Sequence, residues 1–284
     1  MSDRNAKLFI IKGLTQSHNV KLGTMPQSVR QRNDMIKRMI LVLLLGLVVS
    51  FVTACSKKPT VVGNNDLQRI RKLFLEGKYE EALQQQLWFH EASKTSPGMG
   101  GVRLSYALSQ WLELGQKYPK ALDALKSIRD QHEKMLLSGK GGYAEFSEYS
   151  SINKILKEDD KTYNVFKQLH AQYPDIAVQC FRTALDLIIE RKDYELCGAY
   201  IKDPVKWYEE IRQMREMSVN IAKTNPTLNN AMFKDYMDGA FVKQTSQLID
   251  IMINLKKWDD AKEIQKRALR YLPDHRLEEA IPAS

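Results

Sequence analysis

Gly77-Lys78-Tyr79-Glu80-Glu81-Ala82-Leu83 sets a flexible residue, an aromatic ring and a small side chain close together, and the pattern returns along the chain. It recurs as Gly115-Gln116-Lys117-Tyr118-Pro119-Lys120-Ala121-Leu122, as Lys192-Asp193-Tyr194-Glu195-Leu196-Cys197 and as Lys257-Trp258-Asp259-Asp260-Ala261. In each copy the aromatic marks a break, and the small residue follows one helical turn later. A corner between two antiparallel helices asks for both. The ring plugs the corner, and the small side chain lets the two backbones approach closely.

The segments between these corners carry helical spacing. Leu67, Ile70, Leu73 and Phe74 share one face, as do Leu122, Leu125 and Ile128, and Leu248, Ile251, Met252 and Leu255. Breakers fall at Ser96-Pro97-Gly98, Ser138-Gly139, Tyr173-Pro174-Asp175, Asp203-Pro204, Asn225-Pro226 and Leu272-Pro273-Asp274, spacings that suit short helices. Asp203 before Pro204 makes a good helix start, with a side-chain acceptor at the cap and proline in the first turn. No run alternates apolar and polar residues as a half-buried strand would, and 14 glycines with 9 prolines are too few for a many-turned sandwich. The fold class read from the sequence is all-α.

The repeated segments resemble the tetratricopeptide repeat. That resemblance implies an α-solenoid of antiparallel helix pairs over residues 67–275. The last copy is the best, with Leu248, Ile249 and Met252 on its first helix, then Trp258, Ala261, Ala268 and the closing Pro273. A weaker copy runs through Phe166 and Leu169 to Tyr173-Pro174, with Asp159 where the corner aromatic would stand. The small residues at 82, 121, about 162, 197 and 261 are separated by steps of 39, 41, 35 and 64 residues, so the array is irregular. Residues 204–240 read as a long interruption, an extra helical pair. The methionines at 214, 217, 232, 237 and 252 are expected to fill core. On the tetratricopeptide register, the residues expected to line a partner groove are Arg71, Arg103, Tyr106, Gln110, Glu113, Arg182, Asp186, Asp250 and Asn254. Their mixed charges do not reproduce the Lys/Asn clamp that some members of the family use for C-terminal carboxylates.

Upstream, Ile40 to Ala54 reads ILVLLLGLVVSFVTA, an uncharged run behind Lys37 and Arg38. A membrane-spanning helix needs about 20 apolar residues, so this run suits the apolar core of a secretory signal better. Val52-Thr53-Ala54-Cys55 then puts small residues before a cysteine, followed by Ser56-Lys57-Lys58-Pro59. The segment resembles the lipobox of bacterial lipoproteins. The resemblance implies a signal peptide over 35–54 and fatty acylation of Cys55, the first residue of the mature chain. Two or three acyl chains would hold the protein firmly on a membrane where one is marginal. Ser56 after the cysteine resembles outer-membrane sorting, which implies the periplasmic face of the outer membrane. Residues 1–34 are expected to be an over-called start or a disordered extension, 55–66 a lipidated cysteine with a flexible tether, and 276–284 a C-terminal tail.

Charge agrees with an ordinary surface. The net charge is +9, but residues 1–54 hold eight Lys/Arg against two Asp, leaving only +3 over the other 230 residues. A polyanion binder would concentrate its charge, so nucleic acid is not an expected partner. His90, His132, His170 and His275 lie far apart, and no Cys/His pair has metal-ligand spacing, so neither metal nor cofactor is expected. Ser138-Gly139-Lys140-Gly141-Gly142 lacks the phosphate-loop frame, because Gly141 stands at the hydroxyl position and Lys134 at the first glycine. No G-x-S-x-G elbow occurs, and the acidic pairs are expected in first helical turns, where the helix dipole favours them, or on polar faces. Cys180 and Cys197 are expected to be buried free thiols. The reading is therefore a non-enzymatic interaction scaffold for a protein or peptide of the cell envelope, with no small-molecule substrate. An accessory lipoprotein of an outer-membrane assembly, pilus or secretion machine is the first alternative, and a cell-envelope enzyme, which would need a catalytic cluster the sequence does not show, is the second.

Overall fold

Each helix ends with carbonyls that have no intrahelical partner, and how they are satisfied fixes the path of the next helix. In the computed structural model, which describes residues 61–281, the same solution appears five times, once at Gly139 (φ 70°), where Lys140 donates to the Met135 carbonyl at 3.0 Å, and at four further corners. Gly77, Lys157, Lys192 and Lys256 adopt left-handed conformations with φ of 74°, 59°, 55° and 60°. The following residue then donates its N–H back across the turn: Lys78 to the Leu73 carbonyl (2.9 Å), Glu158 to Asn153 (2.8 Å), Asp193 to Ile188 (3.1 Å) and Lys257 to Met252 (2.8 Å). These are Schellman closures. Two further corners use Tyr118-Pro119 and Tyr173-Pro174, where the proline opens the second helix without needing an N–H partner.

Among the described residues all regular structure is helical. The order is α1 (Asn64–Leu75), α2 (Tyr79–Ala92), α3 (Gly100–Arg103), α4 (Tyr106–Lys117), α5 (Pro119–Leu137), α6 (Tyr143–Leu156), α7 (Asp159–Gln172), α8 (Pro174–Glu190), α9 (Tyr194–Tyr200), α10 (Pro204–Thr224), α11 (Ala231–Asn254), α12 (Trp258–Tyr271) and α13 (His275–Glu278). Helices pack mainly on their neighbours in the chain, and alternate helices also meet, α4 with α6, α6 with α8 and α5 with α7. No described helix is long and apolar enough to cross a membrane. The apolar run at 40–54, Cys55 and the first 34 residues lie outside the described residues.

The corner reading is half right. Ala82, Ala121, Thr162, Cys197 and Ala261 are all 0 % exposed, each three residues after Tyr79, Tyr118, Asp159, Tyr194 or Trp258. Gly115 sits opposite one such corner. A Cβ added there would lie 3.0 Å from the Leu122 Cβ and 3.2 Å from its backbone, so α4 and α5 approach closely enough that a side chain would require α5 to give way slightly. The rings, in contrast, cover the corner instead of filling it. Trp258 is 44 % exposed, and Tyr79 stacks on Tyr118 at 6.2 Å between ring centres. The buried volume belongs to the small residue.

Four further expectations need correction. The tether ends by residue 61, because Val62 is buried and donates its N–H to the Ser96 hydroxyl at 3.0 Å, and α1 has begun by Asn64. Residues 276–281 are no tail. Leu277 is fully buried, α13 packs on α11 and α12, and Gln265 donates to the carbonyls of Leu277 (2.8 Å) and Glu278 (3.0 Å). The interruption at 204–240 is not a separate pair, since α11 runs unbroken for 24 residues from it into the first helix of the last pair. Met214, Met217 and Met232 are each half or more exposed, and among the five methionines only Met252 is fully buried. Asp203 does cap α10, accepting the Lys206 N–H at 2.9 Å. Cys180 and Cys197 are buried and unpaired, and burial pushes both thiols up to about 12.

Three of the five Schellman closures carry lysine where only glycine is free of a Cβ penalty, a cost of about 1–2 kcal/mol per residue. Lys256→Gly should therefore raise stability by roughly 0.5–1 kcal/mol in urea unfolding, the relief of strain exceeding the entropy that glycine adds to the unfolded chain. Lys257→Gly, one position on with φ of −91°, should lower it.

Candidate functional site

Helix α8 presents Arg182 and Asp186 one turn apart on one face. Opposite them α10 presents Trp207, Ile211 and Met214 at spacings of four and three, so an aromatic, a branched and a flexible apolar side chain form one stripe. Ser150, Ser151 and Lys154 of α6 and Gln244, Gln247, Leu248 and Ile251 of α11 close the sides. Together they line a cleft of about 530 Å³. The Arg182 guanidinium lies 3.9 Å over the Trp207 ring and pairs with Glu210. Asp186 accepts from Lys243 and from Gln247, each at 2.9 Å. Burial works to raise the Asp186 carboxyl, and those two hydrogen bonds outweigh it, so the carboxyl stays below its ordinary value.

The cleft combines an apolar wall with a polar rim that carries charges of both signs. Asp159, Thr183 and Glu190 also line it. The apolar stripe of α10 continues outward from Met214 through the exposed Met217 and Ile221, while α11 exposes Met232 and Tyr236. Side chains as adaptable as methionine can repack against different shapes.

The groove residues read from the sequence divide into separate places. Arg182 and Asp186 line the cleft. Arg71 pairs with Glu113 across α1 and α4, and Gln110 donates to the exposed Tyr106 hydroxyl at 2.8 Å, a second patch that does not line it. Asp250 instead accepts from Tyr194 of α9 at 2.9 Å, and Asn254 donates back to Asp250 at 3.0 Å. Arg103 must be removed from the groove. It is buried, donates through Nε to the His90 carbonyl at 2.9 Å, and pairs with Glu148.

That pair belongs to a buried polar knot. Glu148 of α6 receives His90 of α2 on one carboxylate oxygen, with His132 of α5 on the same oxygen at 3.2 Å, and Arg103 of α3 on the other. Trp111 of α4 stands edge-on to the His90 ring at 5.3 Å. Burial works to raise the Glu148 carboxyl, but three donors overcome it and hold it far below the carboxylate range. Both imidazoles spend Nε2 on the carboxylate, and Arg103 adds a cation beside it. The arrangement is poorly suited to hold a metal, and no cluster of ligand residues occurs among the described residues.

Removing one partner of a buried ion pair leaves the other charge uncompensated, which costs about 3–5 kcal/mol. Arg103→Ala should destabilise the fold by that order. Arg182→Ala, at a half-exposed pair, should stay within about 1 kcal/mol. Equilibrium unfolding of the two variants separates the buried arginine from the cleft arginine.

In comparison with known proteins, no family model, no curated protein and no solved structure matches this chain.

Proposed function

We propose that the chain is a lipid-anchored protein of the bacterial cell envelope that binds a protein or peptide partner, without catalysis, through the α6–α8–α10–α11 cleft. On this reading the helix pairs form a degenerate α-solenoid and Cys55 carries the acyl chains. The observation that carries it is the cleft itself, where Arg182 and Asp186, chosen as groove residues on the repeat register, face a stripe of Trp207, Ile211 and Met214. An extended or helical segment could lay its apolar side chains along that stripe and its polar groups on the rim.

The test is a photo-crosslinking side chain placed at Gln244, in the cleft, and at Asp123, on the exposed side of α5, in living cells. The Gln244 probe should give one discrete envelope-protein adduct that the Asp123 probe does not. Alkyne fatty acid fed to the same cells should label the wild type and leave Cys55→Ala unlabelled. Identical adducts from both probes would count against the cleft, and equal labelling of wild type and Cys55→Ala would count against the anchor.

A further inference from the structure

The connection from Ser93 to Ser105 holds two ends of the N-terminal region together. Its Ser96 hydroxyl receives the Val62 N–H, where the chain joins the fold, and itself donates to the Ala92 carbonyl at 2.9 Å. Its Met99 and Val102 pack on the cluster of Val62, Leu67, Ile70, Phe89 and Ala107. Its last helical residue, Arg103, is bound to Glu148 and to the His90 carbonyl. The connection is therefore fastened at one end by a hydroxyl and at the other by the buried knot.

We infer that the His90–Glu148–Arg103–His132 knot is an acid-sensitive latch that holds the Ser93–Ser105 connection, and with it the start of the fold at Val62, against α2 and α6. The geometry dictates the direction. A neutral His90 that donates through Nε2 satisfies the carboxylate and leaves Nδ1 as a lone pair, which is buried with no partner. Protonation would turn that atom into a buried N–H with nothing to accept it, a costly group.

The charged groups that face His90 are Glu148 of α6, Arg103 of α3 and Glu91 beside it on α2, with His132 of α5 sharing the carboxylate. Burial is the largest influence and lowers the His90 imidazole; the Arg103 charge lowers it further, and the two glutamates only partly offset this. A group held below its ordinary value takes up protons less readily folded than unfolded. The stability it contributes is fully present above pH of about 6.5 and is lost progressively as pH falls from there through the lowered folded value. The lowered Glu148 carboxyl acts in the same sense at more acid pH.

The experiment is hydrogen exchange on the full-length chain at pH 7.5 and 5.5, corrected for intrinsic exchange rates. In the wild type, amides of 93–105 and Val62 should lose about tenfold or more of their protection at the lower pH, while α10–α12 keep theirs. His90→Gln retains a donor toward Glu148 and cannot titrate, so it should show no such loss. Unchanged wild-type protection at pH 5.5, or the same loss in His90→Gln, would overturn the inference. Should His90→Gln not fold at pH 7.5, the wild-type His90 ring titration followed by NMR decides. A protonation midpoint coinciding with the loss of protection supports the latch, and a separation of the two contradicts it.

Discussion

The structure depends on one contact repeated at successive corners: a small side chain, one turn into the second helix, pressed against the helix before it. Ala82, Ala121, Thr162, Cys197 and Ala261 occupy that position and none has any exposed surface. A close backbone approach brings many weak dispersion contacts and leaves no room for water. It also fixes the angle at which the next helix departs. Where the corner residue is polar, a partner is supplied, as when buried Asn153 donates to the Thr162 hydroxyl at 3.1 Å. Schellman closures at four of these corners satisfy the carbonyls that tight turning would otherwise strand.

Departures from this scheme are where the distinctive surfaces arise. Helices α10 and α11 are the longest described, at 21 and 24 residues, and they carry the exposed apolar side chains that border the cleft. At the other end of the fold, the Ser93–Ser105 connection replaces a tight corner with a loop and the four-residue α3. The buried knot on Glu148 ties that loose connection to α6. One departure creates a surface that a partner could use, and the other is held by ionisable groups in place of close packing.

The corners were legible because their signal is local. Three residues separate ring from small side chain in every copy, and the helix period does the rest. The caps at Asp203 and the free, buried thiols were legible for the same reason. What escaped depends on distant residues. Val62 looked like tether because its burial is created by Ser96, 34 residues on. His90, Arg103, His132 and Glu148 show no motif, since four different helices bring them together. The tetratricopeptide register puts Arg103 in the groove, but the break at Leu104-Ser105 separates it from α4 and resets the helical phase. The methionines of α10 have helical spacing, and spacing alone does not say which face another helix will cover. The ring of Trp258 was read as a plug because the sequence does not distinguish filling a corner from lying over it.

The most direct measurement on the central claim is the unfolding free energy of Ala261→Leu beside Glu263→Leu. Ala261 is fully buried at the last corner, so three added heavy atoms must force the helices apart, at a cost of about 1–3 kcal/mol. Glu263, two positions on, is half-exposed and pairs with Arg267, so its replacement should stay within about 0.5 kcal/mol. A clear difference between the two is the result expected. Equal stabilities would mean that the close contact at the corner does not exist.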